Sequence, residues 1–378
     1  MKVSEIKSML KDIKCVVPVR STLPILYNIK ISEDGIFSAT DLNTWYIYRS
    51  GITLDAPICV NYKLFAETIS VIESDEIDFT VKDNTLYISD DGAKISIAGV
   101  DHREYPNIPD YIEHVHSDSN IQIYDTSHFL ESVRTSGRCV SEDHSRYILT
   151  CVAIEANREN STVNTIGTDG HRLLLNKNIP AKISHRVGEY ILINPEVTAI
   201  LSCAPATFDI VIYSYVGTSR RYTRVDVGER RTIIQKDSNG HEYVNYRNGI
   251  PGSFSRSFDL GTKKDIITEL KRAGKFSNKK TNLIYFNSAD GSELLSIGAK
   301  NKEVKREYSK ELKNSKDHDQ SAEAFRIGFN YKYLAALIQD TYSAKDNTVT
   351  IQYNTPVSGA IMENGDRLAL IMPLRIFD

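Results

Sequence analysis

Several classes of function are excluded by what the 378-residue sequence lacks. It has only five cysteines, Cys15, Cys59, Cys139, Cys151 and Cys203, in an odd, scattered set without a CxxC pair. That pattern suggests neither a disulfide framework nor a zinc site, and it is typical of buried thiols in a reducing compartment. No run approaches the roughly 18 uncharged apolar residues of a membrane span, and the charged N-terminus has no continuous apolar stretch for a signal peptide. We therefore expect a cytosolic, cytoplasmic protein.

Signatures of catalysis are also missing. The sequence has no P-loop, nucleophile elbow, HExxH or paired-carboxylate motif. The best candidate for an enzyme is Asp169 with His171 in "GTDGHRL", but its Asp-Gly step is typical of a turn and not of a continuous strand. His114 and His116 could offer two imidazoles to a metal, without a clear third ligand. We expect no catalytic residue, no metal and no cofactor.

The charge distribution disfavours a globally basic nucleic-acid binder, since the formal net charge is −3. One local stretch differs: residues 262–280, "TKKDIITELKRAGKFSNKK", carry seven Lys/Arg against two acids at helical spacing. This helix could face a polyanion, or it could be an ordinary solvated helix face. A sequence-specific DNA-binding protein is a weaker alternative, because no recognition helix with base-reading Asn, Arg or Gln clusters stands out.

A repeat runs through the chain. "VNYKLFAETI", "INPEVTAILS" and "FNYKYLAALI" each place an asparagine after an apolar residue and before an amphipathic helix. Asn61, Asn194 and Asn330 are 133 and 136 residues apart, and each is a natural helix N-cap. Near-equal spacing with a shared local pattern predicts three similar units of roughly 125 residues.

The segments around each asparagine repeat as well. Each unit opens with an amphipathic helix and carries alternating strands broken by Asp-Asn, Asp-Gly or Asn-Gly, which is typical of hairpins. The order is helix, hairpin-rich sheet, helix, sheet. We therefore predict an α+β fold with helices on one face of antiparallel sheets, in three tandem domains at residues 1–115, 119–245 and 252–378.

Six ordered motifs resemble one known family. They are "RSTLPILYNI" from Arg20, "ATDLNTW" from Ala39, "RYIL" from Arg146, "TDGHRL" from Thr168, "GFNYKYL" from Gly328 and "IMPLRI" from Ile371. Together they resemble the bacterial beta sliding clamp, the beta subunit of DNA polymerase III. The resemblance implies a DNA polymerase processivity factor: a non-catalytic, ring-shaped homodimer that encircles duplex DNA and tethers the polymerase to it. A phage- or plasmid-borne clamp fits the sequence equally well.

The resemblance also implies how DNA is held. Sliding calls for diffuse phosphate attraction without base readout. Candidates on three predicted helices are Lys7, Lys11, Lys14, Arg134, Arg138, Lys263, Lys264, Lys271, Arg272 and Lys275, some of which will point sideways. Arg20, Arg146 and Tyr147 lie where loops of the family touch DNA, although Arg146 and Tyr147 could equally pack at an interface.

Partners of the family dock a short hydrophobic peptide between the second and third domains. The resemblance implies apolar walls from Leu149, Leu173, Leu370, Met372 and Val357, an upper edge from Thr168, Gly170, His171 and Arg172, and a C-terminal lip from Pro373, Leu374 and Arg375. The linker should add Val244 and Gly249, where the family usually has a proline and a larger apolar residue. We therefore expect a more open or differently shaped pocket on that side. The implied partners are the clamp loader, the replicative polymerase and other proteins with a clamp-binding peptide.

Two stretches depart from the family pattern. The second helix of the first unit has Glu67, with Glu73 and Asp75 after it, and Ile69 where the family often has a basic residue. This weakens the prediction that the first domain grips DNA strongly. The charged residues 299–324 predict either a long mobile loop or an extended edge hairpin.

Overall fold

The computed structural model of the chain describes residues 1–108, 119–216, 221–237, 242–288, 295–313, 315–318 and 324–376. His114 and His116 lie outside these residues. The chain divides into two compact units. Unit 1 comprises Met1–Gly137, Cys151–Val163 and Ile179–Glu242, and unit 2 comprises Arg138–Thr150, Asn164–Asn178 and Tyr243–Asp378.

The described helices follow the predicted repeat. They are α1 Val3–Ile13, α2 Tyr62–Ser70, α3 Thr126–Gly137, α4 Tyr147–Thr150, α5 Pro195–Cys203, α6 Lys263–Gly274 and α7 Tyr331–Thr341. The side chains of Asn61, Asn194 and Asn330 accept backbone N–H bonds from the first turns of α2, α5 and α7, so the three predicted N-caps are confirmed.

Twenty-four strands are described. They are β1 Asn28–Ile31, β2 Ile36–Thr40, β3 Thr44–Arg49, β4 Ile58–Asn61, β5 Asp78–Lys82, β6 Thr85–Asp90, β7 Ala93–Ala98, β8 Asn120–Ile123, β9 Val152–Asn157, β10 Thr162–Thr168, β11 Arg172–Ile183, β12 Tyr190–Ile193, β13 Ile210–Val216, β14 Arg221–Val227, β15 Arg231–Lys236, β16 Arg256–Thr262, β17 Leu283–Ser288, β18 Leu295–Asn301, β19 Arg306–Glu311, β20 Lys316–Asp317, β21 Arg326–Asn330, β22 Thr348–Tyr353, β23 Ala360–Asn364 and β24 Arg367–Ile371. Every pairing with a resolved register is antiparallel, so the predicted α+β fold with antiparallel sheets is confirmed.

Unit 1 contains a continuous antiparallel sheet in the order β8-β13-β14-β15-β3-β2-β1-β4. Its middle is the pairing of β15 with β3, which joins the last strand of the second repeat to a strand of the first. A separate sheet contains β5, β6 and β7. Helices cover one face of the long sheet: Phe37 of β2 stacks on Phe65 of α2, and the hydroxyl of Tyr46 in β3 donates to Asp12 of α1 at 2.8 Å.

Unit 2 repeats the arrangement. Its sheet runs β16-β22-β23-β24 and continues into the first residues of β11, so that the last strand of the third repeat pairs with a strand of the second. A second sheet has the order β19-β18-β17-β21. The core packs α6 and α7 against these sheets through fully buried side chains such as Ile266, Leu270, Leu334 and Phe286. Burying aliphatic and aromatic groups of this size is the main force that holds such a layer together.

The charged stretch 299–324 contains a hairpin at a sheet edge. Strand β19 pairs with β18 through six residue pairs and lies at the end of its four-stranded sheet. The edge-hairpin alternative of the prediction is therefore confirmed for the described part of this stretch. Along the described portions of the chain, no helix is both long and apolar enough to cross a membrane.

Candidate functional site: a peptide-docking surface and basic helix faces

The turn that contains "TDGHR" is built by two side chains. Thr168 Oγ1 donates to the carbonyl of Arg172 at 2.7 Å and accepts from Gly170 N at 3.1 Å. Asp169 Oδ1 accepts from the backbone N–H groups of His171 and Arg172 at 2.9 and 3.0 Å. Gly170 has φ +89°, a conformation that favours glycine. The Asp-Gly step is thus a turn, as predicted, and the Asp169 carboxylate is occupied in building it.

The first repeat contains the same turn. Thr40 Oγ1 donates to the carbonyl of Thr44 and accepts from Leu42 N, while Asp41 Oδ1 accepts from Asn43 N and Thr44 N. Leu42 also has positive φ, at 76°. The five residues therefore form a repeated scaffold, and only the side chains at its third to fifth positions distinguish the two copies.

Arg172 is fixed on the inner side of the turn in unit 2. Its Nε donates to Asp169 Oδ2 at 3.0 Å, one Nη donates to the carbonyl of Arg138 at 2.9 Å, and the guanidinium lies 4.2 Å from the ring centroid of Tyr333. Only 14% of its side chain is exposed. Charge-assisted bonds of this kind are strong and directional, so Arg172 positions the turn and the start of β11.

Two strands present an apolar face beside this turn. Leu173 of β11 lies opposite Leu370 of β24, and Leu370 lies opposite Ile361 of β23. Neighbouring Leu174 and Ala369 belong to the buried core of unit 2, so alternation places Leu173 and Leu370 on the other face of the sheet. The predicted walls Leu173 and Leu370 are thus brought together as directly paired residues.

The linker approaches this face at a glycine that sequence reasoning missed. A Cβ atom on Gly359 would lie 3.4 Å from Met372 Sδ, 3.5 Å from Leu370 Cδ1 and 3.6 Å from the carbonyl oxygen of Gly249. Gly359 thus marks the place where the linker, the end of β24 and the C-terminal segment converge. A glycine before a short strand gives no sequence signal for such a role, because its importance depends on chains that arrive from elsewhere.

The C-terminal lip is anchored by the backbone. Met372 N donates to the carbonyl of His171 at 2.8 Å, and Leu374 N donates to the carbonyl of Gly328 at 2.8 Å. Pro373 lies between these anchors, and the Arg375 that follows is exposed. The side chain of Met372 remains 39% exposed. Because thioethers adapt to varied ligands, an anchored backbone with an exposed Met side chain suits a groove for different peptides.

The remaining predicted pocket residues are more open. Val244 and Val357 are exposed, the latter in the turn between β22 and β23, and a Cβ atom on Gly249 would meet nothing within 4 Å. Leu149 is half-buried, with its carbonyl bonded to Ser141 N. Every predicted pocket residue falls within unit 2, and the linker side is open where the sequence predicted a missing wall.

The basic residues of unit 1 lie on two helix faces. Lys7, Lys11 and Lys14 follow helical spacing along α1 and just beyond it; Lys11 and Lys14 are exposed, whereas Lys7 Nζ donates to the carbonyl of Ile72 at 3.1 Å. Arg134 on α3 is exposed, and so is Arg20 in the loop after α1. On α2, Ile69 is buried and Lys63 pairs with Glu67 at 3.9 Å, which fits the prediction of a weak basic character there.

In unit 2 three of the predicted lysines lie on one exposed side of α6. Lys264, Lys271 and Lys275 are exposed at spacings that share one side of the helix. The prediction was wrong for Lys263, which is 5% exposed and donates through Nζ to the carbonyls of Gln339 and Tyr342. Arg272 points sideways and pairs with Glu269 at 3.0 Å.

Two loop arginines of unit 2 are ion-paired. Arg138 Nη1 lies 2.5 Å from Asp340 Oδ1, a carboxylate that is 5% exposed, and Arg146 Nε lies 3.5 Å from Asp143. Both arginines are exposed, with Tyr147 beside Arg146. The Arg138 charge is thus largely neutralised, whereas the three lysines of α6 are exposed.

Candidate metal ligands do not assemble in the residues that the structure describes: no group of three or more His, Cys, Asp or Glu side chains could hold an ion there.

Comparison with known proteins relates the chain to beta sliding clamps. The model of the DNA polymerase III beta subunit, N-terminal domain, matches residues 2–109. A beta sliding clamp from Chlamydia muridarum is 21% identical over 99% of this chain and 98% of its own length, and one from Bacillus subtilis is 26% identical over 86% and 85%. The chain is thus similar to beta sliding clamps over nearly its whole length, and residues 2–109 match the N-terminal domain of that family. A solved sliding clamp from Pseudomonas aeruginosa, bound to griselimycin, shares the fold: the TM-score is 0.81 at 20% identity, over 100% of this chain and 98% of that one.

The likeness to beta sliding clamps over nearly the whole chain indicates a class of function. The chain is a processivity factor of DNA replication and a non-catalytic subunit, as the six ordered motifs predicted. That the turn at "GTDGHRL" borders a peptide-docking surface stays a prediction. Sequence reasoning predicted that surface from motif order, but it did not foresee that Arg172 is bonded to Asp169 and Arg138 and lies over the ring of Tyr333.

Proposed function

We propose that two copies of the chain close into a ring around duplex DNA, and that the Leu173–Leu370 surface captures peptides of replication proteins. The domains of the ring would be residues 1–115, 119–245 and 252–378, and the ring would act in the cytoplasm. The observation that carries the proposal is a repeated pairing rule. In the two junctions between consecutive repeats, the last strand of one repeat pairs with the strand that follows the Thr-Asp turn in the repeat before it.

The register of this pairing repeats too. Trp45 lies opposite Ile234 in the first junction, and Leu173 lies opposite Leu370 in the second. Each is the first residue after the position that closes its turn. Because the same strand pairing occurs at both junctions within the chain, we expect the same pairing a third time, between two copies of the chain.

The third use would join β7 of one protomer to β19 of its partner. β7 is the last strand of the first repeat and lies at the edge of its three-stranded sheet; β19 has the corresponding place in the third repeat. If β7 of each protomer pairs with β19 of the other, the two copies form a closed assembly with two-fold symmetry. The same pairing covers edge strands that would otherwise promote aggregation.

The DNA contact would use the exposed lysines of α1 and α6. Lys11, Lys14, Lys264, Lys271 and Lys275 offer charge without a base-reading arrangement, which suits a protein that must slide. The clamp loader and the replicative polymerase are the partners that the peptide-docking surface would serve. Support comes from the apolar Leu173–Leu370 pair, the exposed Met372 and the open linker side.

A topological assay tests the ring. After loading onto nicked circular DNA, the protein should remain bound at a salt concentration that abolishes ordinary phosphate contacts, and linearising the circle should release it. Release from circular DNA in high salt would refute encirclement, because a closed ring does not depend on ion pairs.

A matched pair of variants tests the closure. Ile95→Asp places a carboxylate on β7, at the edge proposed to pair, whereas Thr80→Asp places one on β5 at the opposite edge of the same sheet. Sedimentation should show dissociation of the dimer for Ile95→Asp and an unchanged dimer for Thr80→Asp. Equal behaviour of the two variants would contradict the pairing of β7.

A further inference from the structure

A cavity of about 330 Å³ lies in unit 1, on the face of the long sheet opposite to α1 and α2. Its lining includes Ile36, Ile47 and Ile234 from β2, β3 and β15, together with Pro106 and Ile108 from the chain that follows the first repeat. Ile36 and Ile108 pack against a small cluster that contains Trp45, Ile47, Tyr222 and Ile234. The volume is at the lower end of the range for small-ligand pockets, which suits one or two side chains of a bound peptide.

The cavity occupies the position in unit 1 that the peptide-docking surface occupies in unit 2. Ile47 and Thr232 are directly paired two residues beyond Trp45 and Ile234, as Leu175 and Leu368 are beyond Leu173 and Leu370. In both places a linker segment borders the paired strands. The two places are equivalent in strand register. This equivalence holds whether or not the surface in unit 2 binds a peptide.

The rim of the cavity is basic. Lys30, Arg49 and Arg224 line it together with Asp34. Arg224 forms a bidentate pair with Asp226, with N···O distances of 2.9 and 2.8 Å, so its charge is balanced. Thr232 Oγ1 donates to the same carboxylate and accepts from Arg49 Nη1 at 2.9 Å, which orients Arg49 over the cavity. Two cations, Lys30 and Arg49, therefore face a single acid, Asp34.

We propose that this cavity is a second peptide-docking site, specific for an extended acidic segment with an aliphatic anchor. The anchor packs on Ile36, Ile47 and Ile234, and a carboxylate next to it binds Lys30 and Arg49. A hydrophobic floor with a few placed polar groups is the usual form of a specific site, and Arg favours planar carboxylate partners. The first junction thus selects acidic peptides through Lys30 and Arg49, whereas the predicted walls of the second junction are apolar.

The experiment uses the full chain labelled with ¹³C at isoleucine methyl groups. Ile47 and Ile234 report on the cavity, and Ile361, which lies opposite Leu370, reports on the surface in unit 2. The probe is the peptide acetyl-Glu-Asp-Leu-Asp-Leu-Glu-amide, compared with a version in which lysine replaces every acid. We expect the acidic probe to shift the Ile47 and Ile234 signals in a saturable titration, also in Leu173→Ala, and the lysine version to leave them unchanged.

Charge variants complete the test. Lys30→Gln and Arg49→Gln should each weaken binding at the Ile47 reporter about tenfold, equivalent to about 1.4 kcal/mol. Lys82→Gln, an exposed lysine on β5 of the same unit, is the control and should change nothing. Shifts confined to Ile361, or equal binding of the lysine peptide, would overturn the second site. Loss of the Ile361 response alone would instead count against the surface in unit 2.

Discussion

Leu173 offers the sharpest test of the peptide-docking surface, because Leu175 is a matched control on the same strand face. The two leucines are 4% and 7% exposed, and they pair with Leu370 and Leu368 of β24. The lip backbone is bonded to His171, two residues before Leu173 and four before Leu175. We expect Leu173→Ala to impair peptide binding and Leu175→Ala to leave it nearly unchanged.

The magnitudes of the two effects separate binding from folding. Each truncation removes a similar buried side chain, so both variants should lose about 2–4 kcal/mol in the free energy of unfolding. If the groove opens on binding, so that the peptide anchor covers half of the three carbons that Leu173→Ala removes, the lost contact is about 1.2 kcal/mol, or roughly an eightfold rise in Kd.

The assay is fluorescence anisotropy with a labelled clamp-binding peptide, and chemical denaturation of the same samples measures stability. Removal of Met372–Asp378 should abolish peptide binding while the dimer persists, since it deletes the lip that is bonded to His171. Equal loss of affinity in Leu173→Ala and Leu175→Ala would show that general destabilisation causes the effect. Unchanged affinity in Leu173→Ala would refute the assignment of the wall.

Three further predictions concern neighbouring features. Gly249→Leu should tighten peptide binding a few-fold by adding the missing wall, whereas Gly252→Leu, also in open space, should not; equal affinities in anisotropy would contradict this. Arg172→Leu should lower the free energy of unfolding by about 3 kcal/mol, measured by denaturation, because a mostly buried carboxylate loses its partner. Burial raises the pKa of Cys139 to about 12, so at pH 8 a thiol reagent should modify exposed Cys203 at least tenfold faster; similar rates would refute the buried assignment.

The repeat could be predicted from sequence because its signals are local. An asparagine before an amphipathic stretch reports a helix start whatever surrounds it, and the N-caps of α2, α5 and α7 appear where expected. The Thr-Asp turn is local in the same sense, since every bond that builds it lies within five residues. Features whose hydrogen bonds lie within a few residues of sequence could thus be predicted in detail.

The errors arise where a side chain meets a partner distant in sequence. Its position on a basic helix predicts that Lys263 is one more exposed cation. Instead, its ammonium donates hydrogen bonds to the carbonyls of Gln339 in α7 and of Tyr342, the residue that follows α7. Arg172 is predicted only as part of the upper edge of the pocket, yet its guanidinium donates to Asp169 and the carbonyl of Arg138 and lies over the ring of Tyr333. Helical spacing gives the direction of a side chain on its own element and not the groups that it meets there.

The same strand pairing, β15 with β3 and β24 with β11, occurs at two junctions that carry different side chains. Trp45 with Ile234 and Leu173 with Leu370 occupy the same register positions, so the backbone gives each pair an equivalent setting. What differs is the residue that closes the turn: Thr44 is buried and bonds to Asn194, whereas Arg172 reaches inward to Asp169 and Tyr333. Because the repeated backbone leaves these side chains free to vary, specificity in each junction is decided by substitutions that leave the pairing intact.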